Sequence, residues 1–150
     1  MLSKNTTDYI YDFYIFSIAQ ALRYLNDQML LKYSITNRQA RLLGILYRSL
    51  KNEEEINNQK LQDMMNLKGP SITSLLNGLE KNKFIIRTHA KKDRRLIEYK
   101  LTKKSLDLIE ETQKVFTNTE KQLLTGMTKQ EKQTFLTLLD KAYKNLSSKI

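Results

Sequence analysis

The sequence predicts a mainly α-helical chain that carries one small β-hairpin. Three observations support this. Stretches with helical apolar spacing run almost unbroken, because 150 residues contain only one proline and four glycines, too little punctuation for an all-β chain. Two short strand-like runs, Phe84–Thr88 and Leu96–Leu101, flank a turn at Lys91–Arg94, the pattern of a hairpin. Gly69 and Pro70 break the chain where a new apolar period begins, and proline suits a first helical turn.

The elements follow in order. From Asp8 to about Lys32, apolar residues recur as Ile10, Phe13, Tyr14, Ile18, Ala21, Leu22, Leu25 and Met29, a helical spacing with a wide apolar face. Thr36 and Gln39 are spaced as a capping box, and Ala40, Leu43, Leu46, Tyr47 and Leu50 carry that helix to about Lys51. Asn57 suits the N-cap of a short helix through Met65, with Leu61, Met64 and Met65 facing inward. The helix opened by Gly69-Pro70 turns Ile72, Leu75, Leu76 and Leu79 to one side, leaving Ser71, Thr73, Ser74 and Asn77 on others. After the hairpin, Thr102 starts a helix with Leu106, Ile109, Phe116 and Leu123 at nearly heptad spacing. Thr128 with Glu131 is a second capping box, followed by Phe135, Leu138, Leu139, Ala142 and Leu146.

A chain of this length is most simply one domain, residues 1–150, able to bury a real core. Hydrophobic residues make up 40%, with eight Tyr and five Phe, which argues against disorder. The absence of cysteine excludes disulfides, thiolate metal sites and thiol redox sensing. Lys4 is the only early cation, and Asp8 and Asp12 interrupt the apolar residues, unlike a secretion signal. No run approaches the roughly 18 apolar residues of a membrane span. The expectation is a soluble, cytoplasmic protein that needs no cofactor.

Charge is distributed unevenly. The formal net charge is +10. Lys81 to Lys104 hold ten basic residues against Asp93 and Glu98, a net +8, whereas residues 1–50 carry +3 and 105–150 carry +1. A uniform lysine bias would spread the charge, so the concentration points to an anionic partner.

Two short helices joined by a tight turn, the second uncharged and polar, with a basic hairpin behind it, make a winged helix-turn-helix. Such a recognition helix enters the major groove by its N-terminal end, where Pro70, Ser71, Thr73, Ser74 and Asn77 stand. Small hydroxyl and amide side chains there reach base edges and phosphates. The wing supplies Lys91, Lys92, Arg94 and Arg95, and an arginine enters a narrow A·T-rich minor groove more readily than a lysine. Asp93, among these cations, is expected to hold a neighbouring guanidinium through a bidentate bond.

At these residues the chain resembles the MarR family of transcriptional regulators almost end to end. Asp93-Arg94-Arg95, with Leu101-Thr102 before a helix, is similar to the family's wing motif. Ile35-Thr36, Gln39, Leu43 and Leu46 resemble its second helix, and residues 69–85 its recognition helix. The resemblance implies a winged helix-turn-helix at about 36–101, with dimerisation helices at about 1–32 and 102–150. It implies a homodimeric, sequence-specific regulator of double-stranded DNA, a repressor on an inverted-repeat operator. Arg95 would be the minor-groove arginine and Asp93 its positioning partner. It also implies release by a small aromatic or cationic effector, with Tyr14, Tyr24 and Tyr47 as candidates to line its pocket. Two departures stand out: Lys83 occupies a position where most members have glycine, so φ > 0 is expected of a non-glycine. Gln62 replaces a small alanine, which is expected to alter the packing of the two short helices.

Other readings compete with this one. The outer helices could fold onto the core of a monomer, the hairpin could serve an architectural DNA binder, or the module could bind protein. His89 is the only histidine, and with no cysteine it lacks the partners of a usual zinc site; a polar strand position suits it better. Glu53–Glu55 and Glu110–Glu111 fall at solvated positions without a nucleophile, so no catalytic site and no enzyme is expected.

Overall fold

A computed structural model describes residues 8–150. The element order is α1 (Ile10–Leu30), a 3₁₀ turn at Leu31–Tyr33, α2 (Asn37–Lys51), α3 (Asn58–Met65), α4 (Gly69–Lys81), β1 (Ile85–His89), β2 (Ile97–Leu101), α5 (Lys103–Leu123) and α6 (Lys129–Ser147). The strands pair antiparallel, with Ile85 opposite Leu101 and His89 opposite Ile97. One compact unit extends to Phe116 and a second runs from Thr117 to Ile150. No helix among the described residues is long and apolar enough to cross a membrane.

The capping residues act where the spacing predicts. Thr36 Oγ1 accepts from the Gln39 N–H at 3.2 Å, and Gln39 Oε1 accepts from the Thr36 N–H at 3.1 Å. Thr128 and Glu131 close the same box at α6. Asn57 Oδ1 accepts from the Lys60 N–H at 2.8 Å and starts α3. Each satisfies first-turn donors that a helix cannot pair internally.

The core of the first unit is built around α2. Leu42, Leu43 and Leu46 are fully buried there, together with Leu30, Leu61, Ile72, Leu79, Phe84 and Ile85 from the surrounding elements. At Gly44, α2 and α5 approach closely: a Cβ there would lie 2.5 Å from Gln113 Nε2 of α5, so that side chain would have to shift. Polar groups join α1 to α2. The buried Asn26 Nδ2 donates to Asn37 Oδ1 at 3.3 Å, Asn37 N–H donates to Asp27 Oδ1 at 2.8 Å, and Arg41 Nε donates to Asn37 Oδ1 at 3.2 Å. The Arg41 guanidinium also lies 4.6 Å from the centre of the Phe116 ring, a cation–π contact.

Several expectations are corrected. Helix α1 starts at Ile10 rather than Asp8, and each strand starts one residue later than expected. Met64 is 45% exposed instead of facing inward, because a helix of two turns has room for one inward stripe, which Leu61 and the half-buried Met65 fill. The apolar face of α1, whose covering the spacing leaves open, is buried at Leu30, half-buried at Ile18, Leu22 and Met29, and exposed at Phe13, Tyr14 and Leu25. In the second unit Phe135 is half-buried while Leu138, Leu139 and Leu146 lie open.

The end of α4 matches the expectation for Lys83, whose φ is 59°. Phe84 N–H donates to Leu79 O at 2.8 Å and Lys83 N–H to Glu80 O at 3.0 Å, the paired bonds of a Schellman turn. A side chain in this left-handed conformation is strained by about 1–2 kcal/mol, partly offset by the greater freedom that glycine has in the unfolded chain. Lys83→Gly is therefore expected to raise stability by about 0.5–1 kcal/mol. Thermal unfolding checks it, and a Tm that stays put or drops would mean the turn carries no such strain.

Candidate nucleic-acid interface

The face of α4 is set by what it buries. Ile72, Leu76 and Leu79 lie in the core, so Pro70, Thr73, Ser74 and Asn77, at helical spacing, are turned outward and exposed, while Ser71 is half-exposed. The turn that delivers α4 is short because Asn66 takes φ 53°, a left-handed conformation that asparagine tolerates better than most residues. No side chain caps the start of α4, whose N-cap is Lys68. Gln62 lies over this start, since a Cβ on Gly69 would sit 3.5 Å from Gln62 Nε2.

The hairpin is anchored at its base and open at its tip. Thr102 Oγ1 donates to Lys83 O at 2.6 Å, and Ser105 Oγ donates to Phe84 O. Lys104 Nζ donates to Asn82 O at 2.9 Å and lies 4.2 Å from the Phe84 ring centre. At the tip, Lys91, Lys92 and Arg94 are exposed and make no ion pair among the described residues. Asp93 does meet Arg95, though not as a fork: one oxygen, Oδ1, accepts the Arg95 backbone N–H at 3.0 Å and Nε at 3.3 Å. The expected bidentate bond is replaced by a local turn that fixes the backbone of Arg95 and leaves its side chain 91% exposed.

A group absent from the sequence-based site joins the two surfaces. Arg87 of β1 donates through Nη2 to Glu80 Oε1 at 3.1 Å and to Asn77 Oδ1 at 2.6 Å, and through Nε to Glu80 Oε2 at 3.3 Å. Its backbone N–H also donates to Glu80 Oε2 at 3.2 Å. Asn77, placed among the exposed readers of α4, is thus also tied to the hairpin. The signal was available: Ile85 and Arg87 share one face of β1, and an arginine beside a buried isoleucine needs a partner.

A cavity of about 760 Å³ lies between the hairpin and the starts of α3 and α4, bordered by Glu54, Thr73, Arg87, Arg95 and Tyr99 among others. Burial holds the Tyr99 hydroxyl above its ordinary range, with Arg87 acting weakly in the other direction. The three tyrosines proposed for an effector do not border this cavity. Tyr14 is exposed on α1, with its ring edge-on to Phe13, and Tyr24 is exposed further along; Tyr47 is half-buried on α2 with Lys51 Nζ 6.0 Å from its ring centre. His89 is exposed at the end of β1, and no cluster of metal-binding side chains occurs among the described residues.

The family model of the MarR family matches residues 35–97, from just before α2 to the start of β2. The chain is similar in fold to the S. aureus MepR–DNA complex, at 24% identity over 94% of this chain and 99% of that one, with a TM-score of 0.83. S. aureus MepR in its DNA-binding conformation is 26% identical, over 91% of this chain and 98% of that one, with a TM-score of 0.76. A mutant MarR from E. coli complexed with operator DNA is 21% identical, over 89% and 94%, with a TM-score of 0.75.

In this winged helix, the Arg87 tie has a pH signature. Hydrogen bonds from Arg87 hold the Glu80 carboxyl below its ordinary value of 4.5. A depressed carboxyl stabilises the fold above its unfolded value, and that contribution is lost as pH falls through the lower folded value. Glu80→Gln is expected to cost at most about 1 kcal/mol at neutral pH, because the pair is partly exposed. It should also soften the loss of thermal stability on acidification below 4.5. Parallel stability curves for the two proteins across that acid range would count against the tie.

Proposed function

We propose that this chain is a DNA-binding transcriptional regulator, a cytoplasmic repressor that holds an inverted-repeat operator as a homodimer and is released by a small effector. The observation that carries the reading is the pairing of two surfaces. An uncharged polar helix face and an open basic tip stand on one tied framework, in the fold that MepR and MarR have in their DNA complexes. Pro70, Ser71, Thr73, Ser74 and Asn77 would meet the major groove. The uncapped start of α4 favours a phosphate, and Lys91, Lys92, Arg94 and Arg95 would follow the adjacent backbone and minor groove.

The homodimer is supported by apolar surface that a monomer would leave in water. Tyr11 is 84% exposed on α1 and Leu146 66% on α6, with Phe13, Ile15 and Phe16 open on the first and Leu136, Leu138 and Leu139 on the second. Patches of this size mark interaction sites, and a second copy of the chain offers the same faces. A two-fold dimer would set two recognition helices about one DNA turn, roughly 34–36 Å, apart. Tyr14, Tyr24 and Tyr47 remain the effector's candidate aromatic contacts, favouring an aromatic or cationic compound.

Binding to the DNA upstream of the chain's own gene, with non-specific competitor at near-physiological salt, tests the proposal. A protected inverted repeat is expected, and failure to outlast the competitor would favour an architectural or protein-binding role. Arg95→Ala is expected to weaken that complex, lower its salt slope by about one, and reduce its dependence on A·T pairs beneath the hairpin. Unchanged binding would remove Arg95 from the interface. Phe16→Glu and Leu139→Glu are each expected to shift sedimentation toward the monomer, and a wild-type chain that sediments as a monomer would end the dimer reading.

A further inference from the structure

We infer that Arg87 is a positioning residue that fixes Asn77 as a hydrogen-bond donor toward DNA and denies it the two-ended contact by which asparagine reads adenine. The inference rests on the proposed function, since it concerns how that same surface selects a base. A guanidinium carries N–H donors and no acceptor. The Asn77 atom that meets Arg87 Nη2 at 2.6 Å is therefore the carbonyl oxygen, and the orientation of the amide follows from chemistry.

Arg87 is itself held on several sides. The two hydrogens of Nη2 are divided between Asn77 Oδ1 and Glu80 Oε1, Nε goes to Glu80 Oε2, and the backbone N–H goes to the same oxygen. With its side chain only 20% exposed, Arg87 would give up three side-chain bonds, two to Glu80 and one to Asn77, if it swung to DNA. Glu80 therefore keeps the arginine in place, and the arginine keeps the amide.

The consequence is a restriction on readout. Asparagine recognises adenine through both ends of its amide, accepting from N6 and donating to N7. With Oδ1 held by a charged donor, a stronger bond than a neutral one, the direction of that oxygen is set by Arg87 rather than by a base edge, and Nδ2 is the end of the amide turned free to meet DNA. A lone donor suits guanine N7 or O6, thymine O4 or a phosphate oxygen, and does not single out adenine. Asn77 is positioned for such a contact because it shares the exposed face of α4 with Pro70, Thr73 and Ser74.

The test uses the full-length protein and duplexes carrying every single base-pair substitution across its operator. Relative affinities are measured for the wild type, Arg87→Met and Arg87→Lys, each with and without Asn77→Ala. Arg87→Met frees Oδ1 and is expected to raise the preference for adenine roughly fivefold at one position per half-site, a gain that vanishes when Asn77→Ala is added. Arg87→Lys keeps the charge and a single bond to Glu80, and is expected to redirect the preference in the same way; it decides the matter if Arg87→Met does not fold. A merely structural arginine would lower affinity for every duplex by one common factor, and an unchanged preference profile in both variants overturns the inference. Absence of any preferred duplex for the wild type would instead overturn the proposed function, so the two failures are distinguishable.

Discussion

Burial of one side of α4 against α2 is the constraint on which the rest of the structure depends. Fully burying a Leu or Ile side chain is worth about 1.5–3 kcal/mol, and Leu43, Leu46, Ile72 and Leu79 are all buried to that extent. The surface ion pairs of the chain, such as Lys144–Asp140 and Lys103–Asp107, are worth about 0–1 kcal/mol each. The apolar stripe therefore decides how α4 is rotated. That rotation alone determines which of its polar residues face outward. The exposed face of the helix is thus a consequence of packing, and a change in the stripe would turn Thr73 and Ser74 away without touching them.

Positive charge in the hairpin region has two different jobs, which the raw total conceals. Arg87 and Lys104 are tied internally, one to Glu80 and Asn77 and the other to Asn82 O and the Phe84 ring. Their bonds hold the hairpin to the end of α4 and need no nucleic acid. Lys91, Lys92, Arg94 and Arg95 stand at the tip, where charge remains available to an anionic partner. Counterion release scales with the phosphates that such free cations neutralise, so the tip, not the local total of +8, measures the electrostatic reach of the surface. Lys83, whose backbone makes the Schellman turn, shows that a cation can also be placed by conformation alone.

Most of the fold was legible because its signals are local. Capping boxes at Thr36 and Thr128, the Asn57 cap and the apolar periods are each contained within a few residues, and each formed as spacing predicts. The departures arise where packing between distant segments decides the outcome. The inward facing of Met64 depended on how many side chains a two-turn helix could bury. The form of the Asp93–Arg95 contact depended on a turn that lets one oxygen reach both a backbone and a side-chain N–H. Strand alternation shows that Arg87 needs a partner, but no spacing rule joins a strand residue to a helix across a Schellman turn, so Glu80 and Asn77 were not legible as that partner. Composition could locate the surface but could not separate cations that bind a partner from cations that bind the chain.

The same division explains why α4 carries no charge on its outward face from Pro70 to Asn77. A lysine at Thr73 or Ser74 would add affinity for any phosphate, and so for any sequence. Short neutral donors and acceptors add little unless a matching base edge stands opposite. Their small contribution to affinity is what permits discrimination between sites. The free cations are displaced to the hairpin tip, away from the helix that would read bases. The tie through Arg87 is what keeps that separation useful. On the proposed reading it would couple a surface able to grip without selecting to one able to select without gripping, because Arg87 ties the hairpin to α4.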